Sequence, residues 1–265
     1  MSVPIAVTIA GSDSSGGAGI QADLKTFAAL GVYGASVVTA LTAQNTTGVC
    51  AVHQVPADFI GAQIDAVFSD LDVGAVKIGM LGDAAAIEAV VAGLDRHRAR
   101  NVVVDPVMVA SSGEKLLVPN AVGALRKLIG HARVLTPNLP EAAALLGAPP
   151  ARDETEMRAQ ALALLTLGAA AVLIKGGHGS GADSVDLLVE EGRCERFAAP
   201  RLATENTHGS GCTLASAVAA GLAKGLALSE AVREAKTYVS AAIAAADRLA
   251  VGSGRGPLHH FYDRW

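Results

Sequence analysis

Aromatic residues, basic runs and long apolar runs are scarce in this chain, and each scarcity excludes a class of protein. Of the 265 residues only 3% are aromatic, and the formal net charge is −4. The sequence therefore lacks a basic surface interleaved with aromatic residues, which is typical of nucleic-acid binding. No apolar run approaches the ~20 residues that cross a bilayer, and the N-terminus lacks the basic start of a signal peptide. We expect a cytoplasmic protein without a membrane or nucleic-acid partner.

Cysteine is also rare. The three cysteines, Cys50, Cys194 and Cys212, are far apart in the sequence. They form neither a CxxC motif nor a Cys/His pair at zinc spacing. A disulfide framework and a structural zinc site are both disfavoured, and we interpret Cys50 and Cys194 as reduced thiols.

The rest of the composition is typical of a large α/β protein. Hydrophobic residues make up 51% of the chain and charged residues 17%. Short apolar runs alternate with amphipathic stretches, which predicts a mostly parallel central sheet with helices on both faces. Without an internal repeat or a low-complexity linker, we expect one domain over residues 1–265. The predicted strands are 3–10, 35–41, 75–78, 101–104, 133–135 and 170–174, with an antiparallel hairpin near an edge at 185–198. The predicted helices are 19–30, 58–68, 83–95, 120–129, 140–146, 154–167, 212–224 and 229–249.

The stretch N-T-H-G-S-G-C-T-L-A-S-A-V, residues 206–218, places two glycines before a small-residue helix. Glycines let successive backbone N–H groups point into one concavity. A helix start adds unpaired N–H groups and about half a positive charge. The pattern favours an anion hole for a phosphate or a transferring phosphoryl group, with Cys212 on the first turn. A glycine-rich loop that only begins a packed helix is the alternative.

Polar side chains follow nearly every predicted strand. Asp105 directly follows V-V-V, Lys175 follows A-V-L-I, and Asn138 and Glu141 lie three apart at a predicted helix start. Because ligands of open α/β sheets bind at the carboxyl ends of the strands, these residues are expected along one edge. Carboxylates beside an anion hole suit Mg²⁺ held partly through water and phosphate oxygens. Taken singly, each is also a common turn or helix-start residue.

Other familiar motifs are absent or incomplete. G-A-G-I-Q-A at 17–22 fits the GxGxxA dinucleotide fingerprint, but no acidic residue lies between Asp23 and Asp58 to bind a ribose. The chain also lacks the P-loop, the H-R-D and D-F-G motifs of protein kinases, and the G-x-S-x-G of hydrolases. Nicotinamide, flavin and hydrolase chemistry are therefore disfavoured.

Taken in order, the motifs of this chain closely resemble those of the bacterial hydroxymethylpyrimidine/phosphomethylpyrimidine kinases of thiamine biosynthesis, in the ribokinase-like superfamily. The resemblance runs almost end to end through A-G-S-D-S-S-G-G-A-G-I-Q-A-D-L-K-T, T-A-Q-N-T, K-I-G-M-L, D-P-V-M, T-P-N-L-P-E-A, K-G-G-H, N-T-H-G-S-G-C-T-L and G-P-L-H-H-F. It implies a ribokinase-like fold and a Mg²⁺-dependent transfer of the ATP γ-phosphoryl group to a pyrimidine hydroxymethyl oxygen. A second transfer would give the pyrophosphate. The resemblance also implies a homodimer.

The resemblance implies how the acceptor is bound. Gln44 would hydrogen-bond the aminopyrimidine, in a pocket lined by Gly11, Asp23, Met80 and Val107. A pyridoxine or pyridoxal kinase with the same phosphate machinery is the alternative enzyme.

For the phosphates, the resemblance implies an anion hole built from Gly209, Ser210 and Gly211. Lys175 and Thr207 would contact the ATP phosphates.

The remaining implied roles concern the metal and the base. Asn138 and Glu141 match an N-x-x-E element that organises Mg²⁺ and phosphates, and Asp105 is the second candidate metal carboxylate. Cys212 stands where most of the superfamily carries a catalytic Asp, so it is the candidate base. A kinase-shaped sensor without turnover is the alternative from another class, but it would be expected to have lost Cys212, a glycine of the hole or the Asn138/Glu141 pair.

The chain departs from its relatives at Ser253, where they often carry a histidine. We expect little effect, because this closing segment is predicted to lie outside the reacting groups.

Overall fold

The computed structural model describes residues 3–108, 122–177, 179 and 181–265. Its described strands are β1 (Ile5–Asp13), β2 (Tyr33–Asn45), β3 (Gly48–Gln54), β4 (Ala75–Ile78), β5 (Val102–Val104), β6 (Val134–Leu135), β7 (Val172–Lys175), β8 (Asp183–Glu190) and β9 (Arg193–Pro200). Its described helices are α1 (Gly19–Ala29), α2 (Ala57–Asp70), α3 (Ala84–His97), α4 (Val122–Ile129), α5 (Leu139–Leu146), α6 (Glu154–Leu165), α7 (Ser210–Ala223) and α8 (Leu228–Ala244), followed by a short 3₁₀ turn at Ala246–Arg248.

These strands form one sheet in the order β3-β2-β1-β4-β5-β6-β7-β8-β9. Strands β1, β2, β4, β5, β6 and β7 run parallel. β3 pairs antiparallel with β2, and the β8–β9 hairpin extends the other edge. The predicted α/β class, the parallel centre and the antiparallel edge hairpin are therefore confirmed.

Helices cover both faces of the sheet. Apolar side chains of α2, α3, α4, α5 and α6 pack with the sheet in one cluster, and those of α1, α7 and α8 pack in a second cluster. Each central strand contributes to both clusters because alternate side chains point to opposite faces. The continuous V-V-V of β5 is buried throughout for this reason.

Strand β3 has no counterpart among the predicted strands, the second of which ends at residue 41. It is the outer strand of the β2–β3 hairpin and is largely exposed, and its V-C-A-V run at residues 49–52 is short and lies between a polar turn and His53-Gln54. Its turn is built by Asn45, whose side-chain Oδ1 accepts hydrogen bonds from Thr47 N and Oγ1 and from Gly48 N. This turn joins the polar end of β2 to β3, the edge strand of the sheet.

Several helix boundaries also differ from prediction, by one to a few residues. Helix α7 begins at Ser210 rather than Cys212, because Gly209 serves as its N-cap. Helix α8 ends at Ala244 rather than residue 249, where the 3₁₀ turn takes over. Residues 120 and 121 of the predicted fourth helix lie outside the described residues. Within the described part of the chain, no helix is both long and apolar enough to cross a membrane.

Candidate active site

The N-terminus of α7 lies against the loop that follows β1. Gly209, its N-cap, has φ +82°, a left-handed conformation that glycine adopts without strain. A Cβ at this position would collide with the carbonyl oxygen of Gly17. The backbone of the predicted anion hole is therefore held in place by close packing that only glycine allows.

The first turn of α7 points toward a cationic side chain. A Cβ added to Gly211 would lie 3.3 Å from Lys175 Nζ and 3.9 Å from Asp105 Oδ2. The N–H of Ser210 donates to the carbonyl oxygen of Thr207 at 3.1 Å. The N–H groups of Gly211 and Cys212 lie in the turn where a helix supplies no acceptor of its own, so they are the donors left for an anion.

The ammonium group of Lys175 lies close to both candidate metal carboxylates, Asp105 and Glu141. Its Nζ lies 2.6 Å from Asp105 Oδ1 and 4.0 Å from Glu141 Oε2. Burial alone would lower the pKa of Lys175, but the charges of Asp105 and Glu141 outweigh it and raise that pKa. The ammonium therefore stays charged and fixes the position of both carboxylates.

Glu141 and Asn138 form a capping box at the start of α5. Asn138 Oδ1 accepts the Glu141 N–H at 2.9 Å, and Glu141 Oε2 accepts the Asn138 N–H at 2.8 Å. Burial raises the pKa of the Glu141 carboxyl, although the charge of Lys175 opposes that rise. The helix-capping alternative considered for this pair is therefore realised, and its part in binding metal or phosphate stays a prediction.

The donor set is compatible with a magnesium ion shared with substrate phosphates. Among the described residues, no group of three or more His, Cys, Asp or Glu side chains is arranged to enclose a metal ion. Mg²⁺ in kinases is usually held by one or two carboxylates together with phosphate oxygens and water. Asp105 and Glu141, both beside Lys175, fit that smaller requirement.

Cys212 lies on the first turn of α7, half-buried. Burial raises the pKa of its thiol to about 11, and the nearby charges of Asp23 and Asp105 act in the same direction. The ammonium of Lys77 and a hydrogen bond from the backbone of Gly19 oppose the rise. The helix start therefore does not make this thiol acidic, and without substrates it is protonated at neutral pH.

Asp23 differs from its expected role in lining the acceptor pocket. Its side chain and that of Lys77 are both fully buried, and Lys77 Nζ donates to the two carboxylate oxygens at 2.9 and 2.8 Å. The hydroxyls of Thr8 and Ser216 donate to the same carboxylate, each at 2.6 Å. Because the carboxylate is buried and hydrogen-bonded to other side chains, Asp23 does not line a pocket. It is part of the buried structure beneath the candidate site.

A polar cavity of about 370 Å³ lies around Gln44, the residue expected to bind the acceptor. Residues 44–48 form one wall, and His208, Gly254 and Arg255 form the other. The closing segment, which is expected to lie outside the reacting groups, contributes Gly254 and Arg255 to the wall of this cavity. Arg255 N donates to the Thr46 carbonyl at 3.0 Å and Gly254 N to Thr46 Oγ1 at 3.1 Å, so the segment is fastened to the β2–β3 turn.

The other predicted pocket residues are only partly brought together. A Cβ on Gly11 would lie 3.1 Å from Met80 Sδ, so these two residues are neighbours at the ends of β1 and β4. Val107 lies beyond β5, in a turn where its N–H donates to the Asp105 carbonyl at 2.8 Å. Their contact with an acceptor stays a prediction.

Two residues of the cavity region were missed by sequence reasoning, namely His208 and Asp13. His208 Nε2 lies 2.9 Å from Asp13 Oδ2, and both side chains are buried. Burial alone would raise the pKa of Asp13, but hydrogen bonds from His208 and Ser15 lower it to about 2. Both residues stand inside motifs quoted above, but a pairing across 195 positions leaves no local signal.

A family model described as phosphomethylpyrimidine kinase matches residues 13–259 of this chain. The chain belongs to this family. A curated relative, the hydroxymethylpyrimidine/phosphomethylpyrimidine kinase of Rhizobium meliloti (strain 1021), is 60% identical over 262 residues and covers 98% of both chains. The family predicted from the sequence motifs is thus confirmed.

Solved structures place the fold among the ribokinase-like kinases, as predicted. A Bacillus subtilis pyridoxal kinase in complex with ADP superposes with a TM-score of 0.92 at 38% identity, covering 99% of each chain. A phosphomethylpyrimidine kinase of Clostridium difficile 630 gives a TM-score of 0.81 at 44% identity, covering 91% of this chain and 100% of that one. One fold therefore serves both pyrimidine and pyridoxal kinases.

Proposed function

We propose that this protein uses ATP to phosphorylate 4-amino-5-hydroxymethyl-2-methylpyrimidine to its monophosphate and then to the pyrophosphate, in thiamine biosynthesis. The observation that carries the proposal is the position of Gly211, whose backbone lies beside Lys175 and Asp105 at the start of α7. This arrangement sets a backbone anion hole, a cation and a carboxylate around one point. The high identity to pyrimidine kinases supports this choice of acceptor.

The chemistry follows from positioning and charge neutralisation, on which phosphoryl transfer chiefly depends. The N–H groups of Gly211 and Cys212 would meet the charge that develops on the γ-phosphoryl oxygens, and Lys175 would neutralise it further. The carbonyl oxygen of Thr207 accepts a hydrogen bond from the Ser210 N–H, which fixes the backbone just before this turn. Gln44 would hold the pyrimidine ring in the cavity.

The base would be Cys212, which takes the proton of the attacking hydroxymethyl group. For the second transfer the acceptor is a phosphate oxygen that is already ionised, so no proton has to be removed. We therefore propose that Cys212 matters more for the first phosphorylation than for the second.

Mg²⁺ would be held by Glu141 and Asp105, partly through water, and would neutralise negative charge on the ATP phosphates. We expect excess EDTA to abolish turnover and added Mg²⁺ to restore it. In Glu141→Gln the amide oxygen still accepts the Asn138 N–H, but the charge is lost, so half-saturating Mg²⁺ should rise about tenfold. Turnover titrated with Mg²⁺ at saturating ATP measures this, and an unchanged titration curve would contradict the assignment.

The activity is tested by coupled ADP release with Mg-ATP and three separate acceptors: the hydroxymethylpyrimidine, its monophosphate and pyridoxal. Turnover of both pyrimidines with little on pyridoxal supports the proposal. The TM-score of 0.92 to a pyridoxal kinase keeps pyridoxal as the competing acceptor, and turnover of pyridoxal alone would move the protein to that activity. No ADP release with any of the three acceptors would favour the sensor alternative.

Gln44→Ala should raise the KM for the pyrimidine about tenfold, because the ring loses its hydrogen-bonding amide. The KM for ATP should not change, since the phosphate-binding residues are untouched. His53→Ala, at an exposed position on β3, is the matched control and should leave both constants unchanged. An unaltered pyrimidine KM in Gln44→Ala would remove this residue from the acceptor site.

We also propose that the protein is a cytoplasmic homodimer, as the family resemblance implies. Sedimentation equilibrium should give twice the chain mass of 26.6 kDa. A monomer mass at micromolar concentration would refute the dimer.

A further inference from the structure

Asp13 and His208 form a buried pair between the two halves of the site. Besides His208, the Asp13 carboxylate accepts hydrogen bonds from Ser15 N at 2.8 Å, Ser15 Oγ at 2.7 Å, Gly17 N at 3.1 Å and Ala18 N at 2.8 Å. A carboxylate surrounded by donors acts only as an acceptor. His208 Nε2 therefore carries a proton and donates it toward Asp13.

The Nε2–H of His208 is directed mainly at Asp13 and has the Gln44 amide as a second, more distant neighbour at 3.4 Å. The structure places the amide nitrogen of Gln44 at this end and its oxygen toward Thr42. In that placement two donors, the Gln44 NH₂ group and the His208 N–H, face each other. The oxygen and nitrogen of an amide are assigned from their hydrogen bonds, so this contact favours the oxygen at the histidine end.

The other end of the amide gives the same assignment independently. It lies 3.0 Å from Thr42 Oγ1, and that hydroxyl lies 2.9 Å from the Ser12 carbonyl oxygen. A carbonyl oxygen can only accept, so the single hydroxyl proton of Thr42 goes to Ser12. Thr42 Oγ1 then accepts from Gln44, which places the NH₂ group at the threonine end.

We propose that the Asp13–His208 pair fixes the orientation of the Gln44 amide and so selects acceptors that carry an amino group beside a ring nitrogen. Held between His208 and Thr42, the amide keeps one N–H and one oxygen lone pair for the cavity. That pattern complements a ring nitrogen that accepts and a neighbouring amino group that donates. Pyridoxal carries an aldehyde oxygen in place of the amino group and cannot donate there.

His208 and Asp13 are positioning residues in this proposal, because they act on the acceptor through Gln44. The inference rests on the proposed pyrimidine kinase activity and adds the origin of its selectivity. Its readout is the ratio of kcat/KM for the hydroxymethylpyrimidine to kcat/KM for pyridoxal. A loss of stability or of phosphate binding would lower both values together and leave the ratio unchanged.

His208→Phe keeps a ring but removes the donor, and Asp13 retains its four other hydrogen bonds, so its carboxylate is still satisfied. We expect the ratio to fall about tenfold, the effect of one lost polar contact, with the KM for ATP unchanged. His208→Gln keeps an N–H donor and should recover most of the ratio. His53→Phe, the same change at an exposed position, should leave it at the wild-type value.

Thr42→Val is the second variant and covers the case in which His208→Phe does not fold. Thr42 is half-buried on β2, and its loss frees the other end of the amide, so the ratio should fall here too. A ratio that stays at the wild-type value in every folded variant overturns the inference while the kinase activity stands. A wild-type protein that turns over no pyrimidine overturns the proposed function, and this inference with it.

Discussion

Cys212→Ala is expected to lower turnover of the hydroxymethylpyrimidine by about 10²–10⁴-fold, the usual contribution of a positioned acid or base. The thiol lies on the first turn of α7, next to Gly211 and within the field of Lys77. Removing it deletes the proposed base without touching Lys175 or the backbone donors. ATP affinity should therefore be retained, and coupled ADP release together with ATP titration measures both quantities.

The raised pKa of Cys212 adds a pH dependence to this expectation. With a pKa of about 11, the thiolate fraction grows about tenfold per pH unit between pH 7 and 10. If the thiolate is the base, kcat for the first phosphorylation should rise over the same range. A flat pH profile combined with a large defect in Cys212→Ala would indicate that the thiol positions the acceptor and does not remove its proton.

Alkylation by iodoacetamide provides a control that is independent of turnover. Cys50 and Cys194 are exposed, so the measurement uses a Cys50→Ala/Cys194→Ala protein in which Cys212 is the remaining thiol. Its alkylation rate should increase steadily up to pH 10. A rate that levels off near pH 8 would contradict the raised pKa, and unchanged turnover in Cys212→Ala would refute the base assignment.

Lys77→Met is expected to lower the free energy of unfolding by about 3–5 kcal/mol, as breaking one side of a buried ion pair does elsewhere. Both Lys77 and Asp23 are fully buried, so the remaining carboxylate cannot be solvated by water. Thr8 and Ser216 would still donate hydrogen bonds to it, but neither supplies a positive charge. Urea unfolding at pH 7 measures the loss.

Two further variants show whether the loss of stability comes from the unpaired negative charge of Asp23. Adding Asp23→Asn to Lys77→Met removes that charge and should recover a large part of the stability. Arg196→Met breaks the exposed pair with Glu154, whose side chains are about half exposed, and should cost less than about 1 kcal/mol. A Lys77→Met protein as stable as Arg196→Met would show that the buried pair is not an electrostatic support of the site.

The sequence by itself determined the α/β architecture, and it predicted the residue types of the candidate site. Continuous apolar runs such as V-V-V fix buried parallel strands, because both faces of such a strand are covered. Gly209 and Gly211 before a small-residue helix predicted an anion hole only together with the polar residues that follow the strands, since a glycine-rich loop that merely begins a helix has the same local pattern. The ordered motifs identified the family.

Only the tertiary structure decided which charged side chains form ion pairs and which segments form the cavity walls. Asp23 was expected in the acceptor pocket, yet it is neutralised by Lys77 from a strand 54 positions away. The largely exposed strand β3 was not predicted, and the closing segment lines the cavity around Gln44 because it is hydrogen-bonded to Thr46. Asp13 and His208 likewise pair across 195 positions. Local patterns report burial and backbone conformation, whereas ion pairs and cavity walls depend on which chain segments fold together.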